Sequence, residues 1–212
     1  MSTLETACQA FTGTIDQVPP MYSALKRDGV PLYKLARQGV EVERAARTVT
    51  LSQVDILDFA PPAVSIRVVC SKGTYIRTLV HDIGRHLGCG AHLTALRRLR
   101  CGVLDVTAAH TLEALQACAE AGRELPVLTP AEAMSGYPVI TVHPEAWGRL
   151  ANGVAPRLAE VGMIQELPAG TLVCLQVDHH LAAVADFAPG GAGGRPGDFA
   201  LQKVFPEAFL SV

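Results

Sequence analysis

VVCSKGTYIRTLVHDIGRHLGCGAHLTALRRLR, residues 68–100, holds a strand end, a polar turn, a helix and a basic exit. Val68, Val69 and Cys70 read as the end of an apolar strand that begins near Val64. Ser71-Lys72-Gly73-Thr74 reads as a turn in which Gly73 is free to take a positive φ. Thr74 is placed to cap a helix whose apolar residues Ile76, Leu79, Val80 and Ile83 recur at helical spacing. Gly84 and the Gly88-Cys89-Gly90 cluster break that pattern. Tyr75 and Arg77 therefore fall at a strand-to-helix junction, where backbone N–H groups lack partners and polar side chains can converge on a ligand. A tyrosine and an arginine two apart suit a site that holds a flat base beside an anion.

Upstream, Ser2-x-x-Glu5 has the form of a capping box and opens a short helix to about Ala10. Residues 12–24, with Pro19-Pro20, read as extended chain, and Tyr33 to Gln38 as a helix with Gly39 as C-cap. Arg47 to Phe59 and Val64 to Cys70 read as paired antiparallel strands separated by Ala60-Pro61-Pro62. Downstream, Thr111 to Gly122 reads as an amphipathic helix with Leu112, Leu115 and Ala119 on one side. Pro126 to Pro138 reads as a connector. Beyond it, Val139–Val142, Thr171–Val177, Leu181–Phe187 and Phe199–Phe205 read as strands, Pro144–Ala151 as one short helix and Gly190–Gly197 as a flexible loop. The fold class is α+β: a mainly antiparallel mixed sheet with flanking helices, then a small β-rich, barrel-like module.

The two long strings that carry this reading resemble the family of tRNA pseudouridine synthase B (TruB). Residues 11–49, FTGTIDQVPPMYSALKRDGVPLYKLARQGVEVERAARTV, match the part of the family that precedes the Ser71–Leu79 motif. Order and spacing agree, including Pro19 to Lys26 and Ala36-Arg37-Gln38-Gly39, and the likeness is strongest over residues 1–115. It implies a domain plan. Residues 1–125 would be the C-terminal part of the catalytic domain, with 22–47 as a mobile insertion that closes over RNA. Residues 126–137 would be a connector, and 138–212 a PUA-like domain.

The resemblance also implies a reaction, isomerisation of uridine to pseudouridine at position 55 in the T arm of tRNA, without metal or organic cofactor. Tyr75 corresponds to the tyrosine that packs on the target base and is a candidate for handling its C5 proton. Arg77 corresponds to the arginine that pairs with the nucleophilic aspartate, a task suited to a guanidinium fork. Leu96 corresponds to an apolar residue packed against the site, and Lys26, Lys72, Arg97 and Arg98 are candidates for RNA contact. The target lies in a folded loop and has to be extruded, which calls for stacking side chains and cations together. The family's Gly-x-Leu-Asp-Pro motif, which bears the nucleophile, has no counterpart in the chain. Gly102-Val103-Leu104-Asp105 reproduces part of it but lacks the proline and follows Leu96-Arg97-Arg98, where the family has an ordinary strand. The expectation is therefore a synthase by family whose 212 residues alone are inactive, the alternative being a non-catalytic tRNA-binding fragment.

Composition is that of a folded chain, and its charge is unevenly divided. Hydrophobic residues make up 49% of the chain and charged ones 18%, which argues against disorder. Residues 1–101 carry 13 Lys and Arg against 8 Asp and Glu, a balance of +5, while 102–212 carry 5 against 12, a balance of −7. The basic half suits a phosphate backbone. No apolar run approaches the ~20 residues of a membrane helix, and Met1 to Phe11 has no basic leader, so the expected placement is cytoplasmic. The expected partner is tRNA, with no membrane or protein partner and a monomeric full-length state. Cys8, Cys70, Cys89, Cys101, Cys118 and Cys174 show no Cys-x-x-Cys pair and read as reduced. His81, His86, Cys89 and His92 invite a zinc reading. Two histidines five apart do not share a helix face, so packing or phosphate contact is the preferred reading and no metal is expected.

Overall fold

The computed structural model describes residues 2–162, 166–191 and 197–205. The chain packs as two compact units, residues 1–97 and 98–212. Residues 98–137 thus go with the C-terminal unit.

In the first unit, α1 (Ser2–Ala10) leads into β1 (Gly13–Gln17). A small hairpin of β2 (Lys26–Arg27) and β3 (Val30–Pro31) follows, then α2 (Leu32–Arg37). The long strands β4 (Arg47–Ala60) and β5 (Ala63–Cys70) come next, and α3 (Ile76–His86) ends the regular structure. The sheet order is β1-β4-β5, antiparallel throughout, with Ile15 opposite Val49 and Val54 opposite Val68. Leu4, Ala7 and Cys8 of α1 and Leu79 and Ile83 of α3 recur at three- and four-residue spacing and pack on Val49 and Leu51 of β4. Burial pushes the Cys8 thiol above its ordinary range. The far end of the β4–β5 hairpin leaves Leu57, Phe59 and Val64 exposed.

Two local expectations change. Thr74 does not cap α3: its hydroxyl donates back to the Ser71 carbonyl at 3.0 Å, and Tyr75 takes the cap position without a side-chain cap bond. Gly84 does not break the helix, which continues to His86. It is buried, the Gly90 N–H donates to its carbonyl at 2.9 Å, and an added Cβ would stand 2.2 Å from the Ala91 nitrogen. The glycine is there so that the 88–91 loop can fold back against the helix, with Gly88 and Gly90 at positive φ.

The second unit begins with a two-strand hairpin, β6 (Arg100–Cys101) and β7 (Leu104–Asp105), followed by α4 (Leu112–Glu120) and α5 (Pro130–Ala133). Thr111 caps α4, but no residue of the helix is buried, and Leu112 is 81% exposed. Its amphipathic stripe therefore does not mark a core face. The expected connector contains α5, because Thr129 and Glu132 form a reciprocal capping box. Hydrogen bonds from the Thr129 N–H and hydroxyl hold the Glu132 carboxyl below the usual carboxylate range.

Strand β8 (Val139–Thr141) pairs in parallel with β9 (Leu172–Val177); β10 (His180–Phe187) and β11 (Phe199–Val204) add antiparallel pairings, giving a mixed sheet of order β11-β10-β9-β8. The helix expected over Pro144–Ala151 is a 3-10 turn, Pro144–Ala146, running into α6 (Trp147–Ala151). β9 and β10 are buried almost residue by residue rather than alternately. The reason is cover on both faces. Val173, Leu175 and Ala183 join Leu150 in one cluster, while Cys174, Leu181 and Val184 face Ala131 and Met134 in the other. Most of the loop expected at Gly190–Gly197 lies outside the described residues. Among those described, no helix is long and apolar enough to cross a membrane.

Candidate active site and RNA-facing surface

The β5–α3 junction is held by contacts with the end of β1 and with the segment that follows it. β5 ends in register, Cys70 opposite Leu51, and the Ser71 hydroxyl accepts the Thr50 N–H at 3.0 Å. Gly73 takes φ 83°, so the chain reverses within the 71–74 turn and presents Tyr75 at the start of α3. Gln17, at the end of β1, is only 2% exposed. Its side-chain oxygen accepts the Tyr75 N–H at 2.7 Å and its side-chain nitrogen donates to the Tyr75 carbonyl at 3.1 Å. One buried amide thus holds both backbone groups of Tyr75.

Arg77, one turn-position later, is exposed, and its Nη2 donates to the Tyr22 carbonyl at 2.8 Å. That bond ties the first turn of α3 to the Tyr22-Ser23-Ala24 stretch. Ser23 is buried, with its N–H on the Met21 carbonyl, its carbonyl accepting the Tyr33 N–H, and its hydroxyl unpaired. Among the described residues no carboxylate lies within ion-pair distance of Arg77. The guanidinium uses one of its five N–H groups on the Tyr22 carbonyl.

The remaining sequence candidates divide. Lys72 sits in the turn leading to Tyr75, and Lys26 begins β2; both are exposed. Arg97 and Arg98 are exposed in the irregular stretch between α3 and β6. Leu96 is 64% exposed and has no place in the core of its unit. Asp105 is also exposed, and it caps the 3-10 turn Val106–Ala108: the Thr107 N–H and hydroxyl donate to its carboxylate at 2.9 and 2.7 Å. Those bonds, the backbone one foremost, hold its carboxyl below the ordinary range. Its geometry is that of a turn cap. His86 stacks edge-on against Phe11, ring centres 5.9 Å apart. Among the described residues no group of three or more His, Cys, Asp or Glu is placed to hold a metal.

Gln17 escaped the sequence reading. The readable signal was its place in strand order: Gly13, Ile15 and Gln17 share one face of β1, so a polar side chain stood in an inward register. Gln17→Leu keeps the volume but takes from the Tyr75 N–H the amide oxygen that accepts it. An orphaned, part-buried donor costs about 1–3 kcal/mol. Urea unfolding of the variant should show that loss; an unmoved midpoint would mean the amide does not hold the junction.

Comparison with solved structures sets the class of fold. A chain in the crystal structure of a Cbf5-Nop10-Gar1 complex superimposes with a TM-score of 0.76 at 24% identity, over 99% of this chain and 63% of that one. A structure of an H/ACA RNP bound to a substrate RNA containing 2′-deoxyuridine follows at 0.71 and 21%, over 98% and 62%. At such identities the likeness is one of fold. Sequence narrows it further. The family model "TruB family pseudouridylate synthase (N terminal domain)" matches residues 1–76, and that of the tRNA pseudouridylate synthase B C-terminal domain matches 77–134. The chain belongs to the TruB family of pseudouridylate synthases.

Among curated relatives, tRNA pseudouridine synthase B of Syntrophotalea carbinolica is 48% identical over 200 residues, covering 94% of this chain and 65% of its own length. That of Geobacter sulfurreducens is 43% identical over 199 residues, covering 92% and 66%. That of Pseudomonas aeruginosa is 58% identical over 122 residues, covering 57% and 40%. The chain thus spans just under two thirds of the length of the first two relatives.

Proposed function

We propose that the chain acts, in the cytoplasm, as the tRNA-holding and base-handling part of a tRNA pseudouridine synthase directed at uridine 55 in the T arm. What carries the reading is the double anchoring at the start of α3: Gln17 grips the backbone of Tyr75, and Arg77 is tied to the Tyr22 carbonyl. The two side chains that the family resemblance assigns to base and carboxylate are thereby held beside the basic 22–47 segment.

In this reading the uridine is flipped out and its ring lies on Tyr75. The C1′–N1 bond breaks, the base turns, C5 bonds to C1′, and the C5 proton is lost while N1 gains one. Tyr75 stacks on the turning base and is the side chain nearest the work at C5. Arg77 keeps a carboxylate ionised and oriented through its free N–H groups. Among the described residues no carboxylate lies within ion-pair distance of Arg77, and in this reading another segment supplies it. Lys26, Lys72, Arg97 and Arg98 meet the phosphates, and Leu96, exposed here, covers the base edge when RNA is seated.

The test is tRNA binding by the chain at several salt concentrations. Affinity should fall steeply with salt, and Arg97→Ala with Arg98→Ala should lessen the slope of log K against log salt by about one to two, near 0.7–0.9 per phosphate lost. Affinity indifferent to both salt and these substitutions would remove the RNA reading.

A further inference from the structure

The first unit commits a buried amide to a single residue, Tyr75. Gln17 is 2% exposed, and its oxygen and nitrogen each hold one backbone group of Tyr75, at 2.7 and 3.1 Å. Tyr75 is extended, with φ −98° and ψ 102°, at the N-cap of α3. An amide bound to both the N–H and the C=O of one extended residue does what an antiparallel strand partner does at a hydrogen-bonded pair. The grip thus restrains the backbone on both sides of the Tyr75 Cα, in a residue that belongs to no strand.

Starting a helix does not call for this arrangement. Ser, Thr, Asp or Asn at the N-cap would serve α3 locally. The chain instead has Thr74 turned back onto the Ser71 carbonyl and Tyr75 at the cap without a side-chain cap bond. An amide taken out of water is unfavourable unless its polar atoms are bonded, and here both are used on this one residue. The Tyr75 carbonyl also accepts the Leu79 N–H at 3.1 Å, and Leu79 is buried in the cluster on β4. Gln17 therefore registers Tyr75 against β1 and the core together. With the backbone held, only two side-chain torsions remain to place the tyrosine ring. Five residues on, the Tyr22 carbonyl takes Arg77, so one stretch of chain, 17–22, holds Tyr75 at one end and Arg77 at the other.

We propose that Gln17 is a positioning residue for the base-handling step: by holding the Tyr75 backbone it sets where the phenol ring stands relative to the Arg77 guanidinium. The inference rests on the pseudouridine synthase reading for the reaction that the ring serves. Gln17 acts through Tyr75 and does not itself touch the base. Displacing a reacting group by about 1 Å can slow a reaction on the order of 10²-fold, so the grip weighs on turnover and not on tRNA binding. The hold is specific to an amide. Leucine makes neither bond. An ionised glutamate accepts the Tyr75 N–H but turns a second acceptor toward the Tyr75 carbonyl. A protonated one donates to that carbonyl and restores the amide pattern.

The test is pseudouridine formation by residues 1–212 supplied with a segment bearing the family's Gly-x-Leu-Asp-Pro motif, for Gln17→Leu, Gln17→Glu, Tyr75→Leu and Gln17→Leu/Tyr75→Leu. Gln17→Leu and, at alkaline pH, Gln17→Glu should lower turnover about 10- to 100-fold with tRNA affinity unchanged. Burial raises the pKa of the introduced carboxyl, so the Gln17→Glu rate relative to wild type at the same pH should recover as pH falls. That recovery keeps the test decisive if Gln17→Leu unfolds. Because Gln17 acts through the ring, the double variant should be no slower than Tyr75→Leu alone. A role confined to starting the helix would lower the urea midpoint of Gln17→Leu yet leave the folded variant at the wild-type rate. That result, or losses that multiply in the double variant, overturns the proposal. The Tyr75 ring resonances of the free chain give a readout without the reaction. Gln17→Leu should shift and broaden them, and unmoved ring resonances also overturn the positioning role. If wild type with the segment forms no pseudouridine while the ring still depends on Gln17, the synthase reading falls, and the catalytic purpose of the grip falls with it.

Discussion

Arg77→Ala and Tyr75→Leu are each expected to slow pseudouridine formation by a factor on the order of 10² to 10⁴, when residues 1–212 are assayed together with a segment bearing the family's Gly-x-Leu-Asp-Pro motif. The effect should fall on turnover and leave tRNA affinity nearly intact, because the cations proposed to meet phosphate lie elsewhere. Arg77 is exposed and its one hydrogen bond goes to the Tyr22 carbonyl, which water can satisfy once the side chain is removed. Loss of fold is therefore a poor explanation for loss of rate, since such a bond contributes about 0.5–1.5 kcal/mol net. What disappears, on the proposed roles, is the fork that orients the carboxylate. Tyr75→Leu keeps the Gln17 grip, which is on the backbone, and removes only the ring. Asp105→Ala in the same assay should leave the rate unchanged, since that carboxylate is engaged by Thr107 as a cap. Wild-type rates in either of the first two variants, or a dead Asp105 variant, would overturn the assignment of roles.

Residues 1–212 assayed by themselves are expected to release no tritium from C5-labelled uridine in tRNA. In the proposed reaction, breaking the C1′–N1 bond while retaining the base calls for a carboxylate beside Arg77. Among the described residues the ion pairs are Arg27–Asp28, Arg44–Glu41 and Arg149–Glu160, and Arg77 has a carbonyl for a partner instead. A guanidinium cannot stand in for that group, being neither nucleophile nor base at neutral pH. Supplying the aspartate-bearing segment, covalently or as a second polypeptide, should bring multiple-turnover release. Release by residues 1–212 without it would mean that another carboxylate does the work, with Asp105 the first to be substituted.

Much of the architecture is local and could be read along the chain. The β4–β5 hairpin and the Gly73 turn depend on alternation and on one residue able to take a positive φ. The α3 stripe depends on Leu79 and Ile83 at helical spacing, and the placement of Tyr75 and Arg77 at its start follows from those same signals. The sequence also carried the charge division, +5 over residues 1–101 and −7 over 102–212.

What it could not carry were facts that depend on pairs of residues distant in the chain. Gln17 reaches Tyr75 across 58 positions and Arg77 reaches Tyr22 across 55, both through the fold of the first unit. Gly84 looked like a helix breaker because its reason, the close approach of Ala91, lies in the returning loop. Thr74 looked like a cap because a hydroxyl's choice between two backbone partners is settled by the turn's geometry. The stripe on α4 suggested a buried face, yet a stripe states only which residues could be covered together. By itself the sequence determined which elements form and which side chains can do chemistry, since those follow from short-range sterics and periodicity. Only the tertiary structure decided which of those side chains are gripped, by what and at what distance, because buried polar groups take whichever partner the packing brings to them.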